Sequence, residues 1–211
     1  MRRRPTRPSR AARRGRWREA SFLSLDFETT GLDLAADRIV SFGAVPVTHG
    51  AVELGGAVHR LVDPGDRAPS RVSVTVHGIR PSELTGQMSG EAAADALADL
   101  LDRRFLLAWF ADVEIAFLRS MFGRRPRWDG RTVDVRDLYR AHAGAGAERT
   151  SLTEAAVGCG VPVADPHQAL DDALVTAQLF LELAARRGRA AGRVPTVAEL
   201  LRDAPVPSPA R

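Results

Sequence analysis

Short apolar runs alternate with stretches of helical period along most of the chain. Residues 21–28 form a strand-like run with the turn signal Thr29-Thr30-Gly31 at its exit. Residues 38–47 and 51–62 have strand character too, and His49-Gly50 between them predicts a hairpin. Alanines and leucines recur at helical spacing over 90–103, and the apolar run 105–110 predicts a buried strand. A helix is expected over 112–121, with Asp112 able to cap it. A short strand over 132–135 runs into a helix ending near His142. Ser151 and Glu154 have the spacing of a capping box, and a long helix spans about 168–187 after Pro166. Strands first, then helices alternating with strands, predict an α/β fold: a mixed sheet with helices on its faces.

Charge changes the picture at the ends. Residues 1–20 hold nine arginines and one acid, Glu19, whereas the other 21 arginines face 25 acids. The body is mildly acidic and the head strongly basic. Residues 1–19 lack apolar periodicity, so a disordered basic arm is expected there, with a second tail over 191–211 and the folded domain at 20–190. No run is apolar enough for a membrane span, and no secretory h-region follows the basic head. The single cysteine, Cys159, permits no internal disulfide and fits a cytoplasmic setting.

Two clusters carry candidate chemistry. In Asp26-Phe27-Glu28 the acids stand two apart on a strand, so both side chains share one face with Phe22 and Ser24. Paired carboxylates beside an apolar strand repel each other and resist desolvation, and a divalent cation relieves both costs. In His167-Gln168-Ala169-Leu170-Asp171-Asp172, a histidine just before a helix and an acid in its second turn can converge on one point.

Together these segments resemble the DEDDh (DnaQ-like) 3′–5′ exonuclease family, which includes the proofreading subunit of bacterial DNA polymerase III. Leu25-Asp26-Phe27-Glu28-Thr29-Thr30-Gly31-Leu32 is similar to its first motif, and His167 to Ala173 to its third. Val76-His77-Gly78-Ile79 resembles the segment that approaches the terminal nucleotide. The second motif departs: Trp109-Phe110-Ala111-Asp112-Val113-Glu114 stands where the family has His-Asn-Ala-x-Phe-Asp, so Glu114 replaces the aspartate.

The resemblance implies a ribonuclease H-like mixed five-stranded sheet with helices on both faces. It implies hydrolysis of phosphodiester bonds at DNA or RNA 3′ ends, with two divalent ions, Mg²⁺ or Mn²⁺. Asp26, Glu28, Glu114 and Asp172 would hold the ions, and His167 would accept a proton from the attacking water. Thr29, Thr30, Gly31, Leu32 and His77 would pack on the terminal nucleotide, though His77 before Gly78 equally suits an ordinary turn histidine. A DNA polymerase is an implied partner. The altered second motif leaves one alternative, a non-catalytic module that binds nucleic acid or protein on the same fold.

Overall fold

The computed structural model describes residues 4–33, 36–123, 128–143, 149–163 and 166–205. Its central strand is β1 (Phe22–Thr29), covered on both faces: Phe22 packs into the core on one side, and Leu23, Leu25 and Phe27 into the core on the other. Antiparallel β2 (Ile39–Thr48) lies on one side of it, parallel β6 (Phe105–Ala108) on the other. Beyond β2 come β4 (Val58–Asp63) and β5 (Met88–Ser89), and beyond β6 comes β7 (Thr132–Asp134). A short β3 (Ala51–Val52) also pairs with β2.

The sheet is mixed, as expected, but among the described residues it has seven strands, not five. The additional pieces, β3 and β5, are two residues long, too short to leave a period in the sequence. The expected strand over 51–62 is broken because Leu54–Gly56 coils into a 3₁₀ turn. The His49-Gly50 hairpin forms, both residues having positive φ, 52° and 72°.

Each face of the sheet has its own core. On one face lie α6 (Val135–Ala143), α7 (Leu152–Gly158), α8 (Ala169–Ala191) and α9 (Val197–Asp203), and Phe22, Val45 and Val47 pack under them. On the other lie α4 (Gly90–Leu100) and α5 (Asp112–Phe122), over Leu23, Leu25 and Phe27. The alternation along β1 therefore puts Asp26 and Glu28 on the α8 face. Ser151 and Glu154 form the expected capping box at the start of α7. Asp112 does not cap α5; Ala111 holds the cap position and Asp112 lies in the first turn.

The two expected tails are corrected over their described parts. Residues 4–20 form a strap against the body, including the helix α1 (Arg10–Arg14), in place of a disordered arm. Trp17 is 3% exposed and meets Phe180 edge-on at 5.8 Å. The Thr6 amide and hydroxyl both donate to Asp102 Oδ1, at 2.8 and 2.6 Å. One buried aromatic and a few polar contacts hold the strap, so arginine content conceals it in the sequence. At the other end α9 buries Val197, Leu200 and Leu201 behind a Thr196–Glu199 capping box. Residues 1–3 and 206–211 lie outside the described residues.

Candidate active site

The acids gather where β1 ends and α8 begins. Asp26, Glu28 and Asp172 each offer a carboxylate oxygen within 4.8 Å of the other two. Three features of the backbone bring them there. The pleat of β1 aims Asp26 and Glu28 at α8. The β1–β2 register shifts between Glu28 and Thr29, an irregularity that ends regular pairing at the acid itself. Finally, Gly43 pairs with Asp26 across β2, and a Cβ there would fall 2.1 Å from the Ala169 carbonyl oxygen. Only glycine lets the first turn of α8 lie directly on the sheet, with Asp172 beside Asp26.

Glu114 reaches the cluster from α5. It is buried, whereas Asp112 two residues earlier is exposed. Its Oε2 is enclosed with no hydrogen-bond partner among the described residues. It lies outside the triplet of closest oxygens, yet its charge is the strongest electrostatic influence on Asp26. The corner that carries Glu114 is fixed by Asp134 at the end of β7, whose Oδ2 accepts from the Ala111 amide at 2.9 Å. Phe110, before that corner, has φ 61°, a left-handed conformation uncommon for a bulky side chain.

Electrostatics mark the cluster as a set of mutually repelling acids. Burial, then the charges of Glu114, Glu28 and Asp172, hold Asp26 well above the ordinary carboxylate range. Burial and the Asp172 charge push Glu28 up to about 8. Burial raises Glu114 to about 8, with Asp134, Glu28 and Asp112 adding to it. Asp172 is raised by burial, against the pull of the His167 amide, which donates to its Oδ2 at 3.0 Å.

The other expected residues divide. His167 has φ 63° and an exposed side chain; its main chain, not its ring, bonds to Asp172. Thr30 is a structural tie: its buried hydroxyl donates to Asp37 at 2.8 Å, and its carbonyl accepts from the Ser70 amide and the Ser73 hydroxyl. Gly31 backs onto the Asp37 carboxylate, while Leu32 is 77% exposed. Thr29 donates its hydroxyl to the Gly31 carbonyl at 2.8 Å. His77 ends α2 (Arg71–His77) and is buried, its Nδ1 accepting from the Ile79 amide at 3.1 Å. Sequence reasoning missed Gly43, Asp134 and Asp37. A lone glycine inside an apolar strand was a usable signal for close backbone approach; the two acids had none.

The exonuclease family model RNase_T matches residues 23–180, three-quarters of the chain. The chain belongs to this exonuclease family. It is 33% identical over 162 residues to the PolC-type DNA polymerase III of Thermotoga petrophila, covering 77% of this chain and 12% of that protein. It is 25% identical over 166 residues to the DNA polymerase III subunit epsilon of Aquifex aeolicus, covering 78% of this chain and 81% of that protein. The exonuclease fold is also similar to that of Escherichia coli exonuclease I, solved with a dT13 oligonucleotide: TM-score 0.69 at 21% identity, over 82% of this chain and 43% of that one. The chain thus spans a small part of the PolC-type polymerases and most of the epsilon subunit. Among the described residues no helix is long and apolar enough to cross a membrane.

Proposed function

We propose that this exonuclease-family domain removes nucleotides from nucleic-acid 3′ ends by metal-assisted hydrolysis, with two Mg²⁺ or Mn²⁺ ions. The observation that carries the reading is the convergence of Asp26, Glu28 and Asp172 within 4.8 Å, with buried Glu114 acting on Asp26 from a third element. The fit to divalent ions rests on the donors: hard oxygen atoms, raised pKa values, and an enclosed Glu114 oxygen without a partner. Such ions, when bound, supply Lewis acidity and ease the deprotonation of water.

In this reading Asp26, central among the four acids, would help hold both ions, Glu28 and Asp172 would hold one, and Glu114 would hold the other. His167 stands at the rim with its ring exposed, and its imidazole would take the proton from the attacking water. Exposed Leu32, with the main chain of Thr29–Gly31 and His77 behind it, would pack on the terminal nucleotide. Relatives named as DNA polymerase III proteins support a nucleic-acid substrate, a polymerase partner and a cytoplasmic setting. The non-catalytic alternative would suit a Glu114 pointing into solvent, and its burial argues against that.

The test uses a 5′-labelled oligonucleotide and Mn²⁺. A ladder shortened from the 3′ end is expected, abolished by a chelator and by Asp26→Ala. Internal cutting, or no shortening by the folded wild type, would overturn the reading.

A further inference from the structure

A second charged feature lies at the other pole of the sheet. The strap and the entry ends of β6 and β7 enclose a cleft of about 200 Å³, lined by Arg7, Arg10, Arg13, Arg131, Phe105 and Gly130 among others. Its lining contains, among the described residues, four guanidinium groups and no carboxylate. Among the described residues Arg7, Arg10 and Arg13 make no ion pair.

The cleft is built and not merely basic. Arg131 is wholly buried. It donates to the carbonyls of Thr6, Leu101 and Arg104 and lies over the Trp128 ring, 5.0 Å from its centroid. Its Nε is enclosed with no partner among the described residues. Arg7 lies close against Gly130, where a Cβ would come within 2.8 Å of the Arg7 Nη2. Gly130 therefore makes room for a second guanidinium beside the first. Burial, then the nearby Arg7 charge, lower the Arg131 pKa to about 10. Asp102 offsets part of this charge, but four converging guanidinium groups outnumber it and are the complement of a multiply charged oxyanion.

We propose that this cleft is a binding site for phosphate groups, separate from the acidic cluster. Phe22 pairs with Phe105 at the cleft end of the sheet, and Asp26 and Glu28 follow four and six residues further along β1. At about 3.3 Å per residue the two sites are on the order of 13–20 Å apart. A ligand in the cleft therefore leaves the acids free. The phosphates come from a nucleic-acid backbone or from a free oligophosphate, and the inference does not depend on the hydrolytic reading.

The test measures binding to the full chain in chelator, so that the acidic cluster carries no metal. The probes are tripolyphosphate, by calorimetry, and a fluorescent single-stranded oligonucleotide, by anisotropy. The variant is Arg10→Ala/Arg13→Ala, both residues being exposed, which leaves Trp17, Thr6 and Arg131 in place; an unchanged melting temperature verifies its fold. Affinity is expected to fall on the order of tenfold at low salt. For the oligonucleotide the dependence of log K on log salt should become shallower by about 1.4, two single-strand phosphate contacts. Wild-type binding of tripolyphosphate alone assigns the cleft to free phosphates, and binding of the oligonucleotide alone assigns it to a strand. If the variant binds both probes as the wild type does, or the wild type binds neither at low salt, the proposal is wrong.

Discussion

At the scale of single residues, Glu114 decides whether the altered second motif still works. The family resemblance made it the replacement for an aspartate, and helical geometry separated it from Asp112, two positions earlier and about 200° round the helix. Both points were legible in the sequence, and the structure buries Glu114 and exposes Asp112 accordingly. What the sequence did not show is the Asp134 bond to the Ala111 amide that holds the Glu114 corner, because it joins residues 23 apart through an isolated side chain. If Glu114 is a metal-site carboxylate, Glu114→Gln lowers kcat by orders of magnitude, since an amide keeps the shape but loses the charge. Glu114→Asp, which restores the family's residue, keeps part of the activity or raises it. Steady-state rates at saturating Mn²⁺ check both, and a silent Glu114→Gln would remove Glu114 from the site.

At the scale of elements, the docking of α8 on β2 sets the distance between Asp172 and Asp26. Gly43→Ala puts a methyl group into the Ala169 carbonyl, so the first turn of α8 must lift. Displacements of about 1 Å at such sites cost roughly a hundredfold in rate, and forced overpacking costs about 1–3 kcal/mol in stability. The expected result is a strong loss of kcat with a moderate fall in melting temperature; a variant with wild-type kinetics would show that α8 is not held there. The elements themselves were largely legible. Long periodic helices, the hairpin and the capping box announced themselves, while two-residue strands and the strap did not. The strap is the instructive case, because its anchor is one tryptophan among nine arginines. Trp17→Ala removes a buried ring that packs on Phe180, a loss of about 3–5 kcal/mol by analogy with other large core truncations. That corresponds to a fall in melting temperature on the order of ten degrees, readable by calorimetry. An unchanged melting temperature would return the strap to the status of a loose arm.

At the scale of the whole molecule, charge is divided between two poles of one sheet: acids at the exit of β1, arginines at its entry. The acidic pole makes metal-free stability depend on pH. Glu28 and Glu114 are raised from their ordinary 4.5 to about 8, so between those values the folded state binds more protons than the unfolded one. Stability therefore falls as pH rises across that window, and the full cost is present above about 8. In chelator, the melting temperature should decline from about pH 5 to about pH 8, and Asp26→Ala should flatten the decline by removing the carboxylate at the centre of the cluster. A wild-type profile that rises over this range would contradict the raised pKa values of these buried, clustered acids.

In the proposed site, four acids from β1, α5 and α8 hold the metal ions. An anomalous difference map from crystals soaked in Mn²⁺ tests it most directly. Two peaks are expected within the cluster, both at Asp26, one also at Glu28 and Asp172 and the other reached by Glu114 directly or through water. A map with no peak at these carboxylates, at Mn²⁺ concentrations that saturate binding in solution, would contradict it.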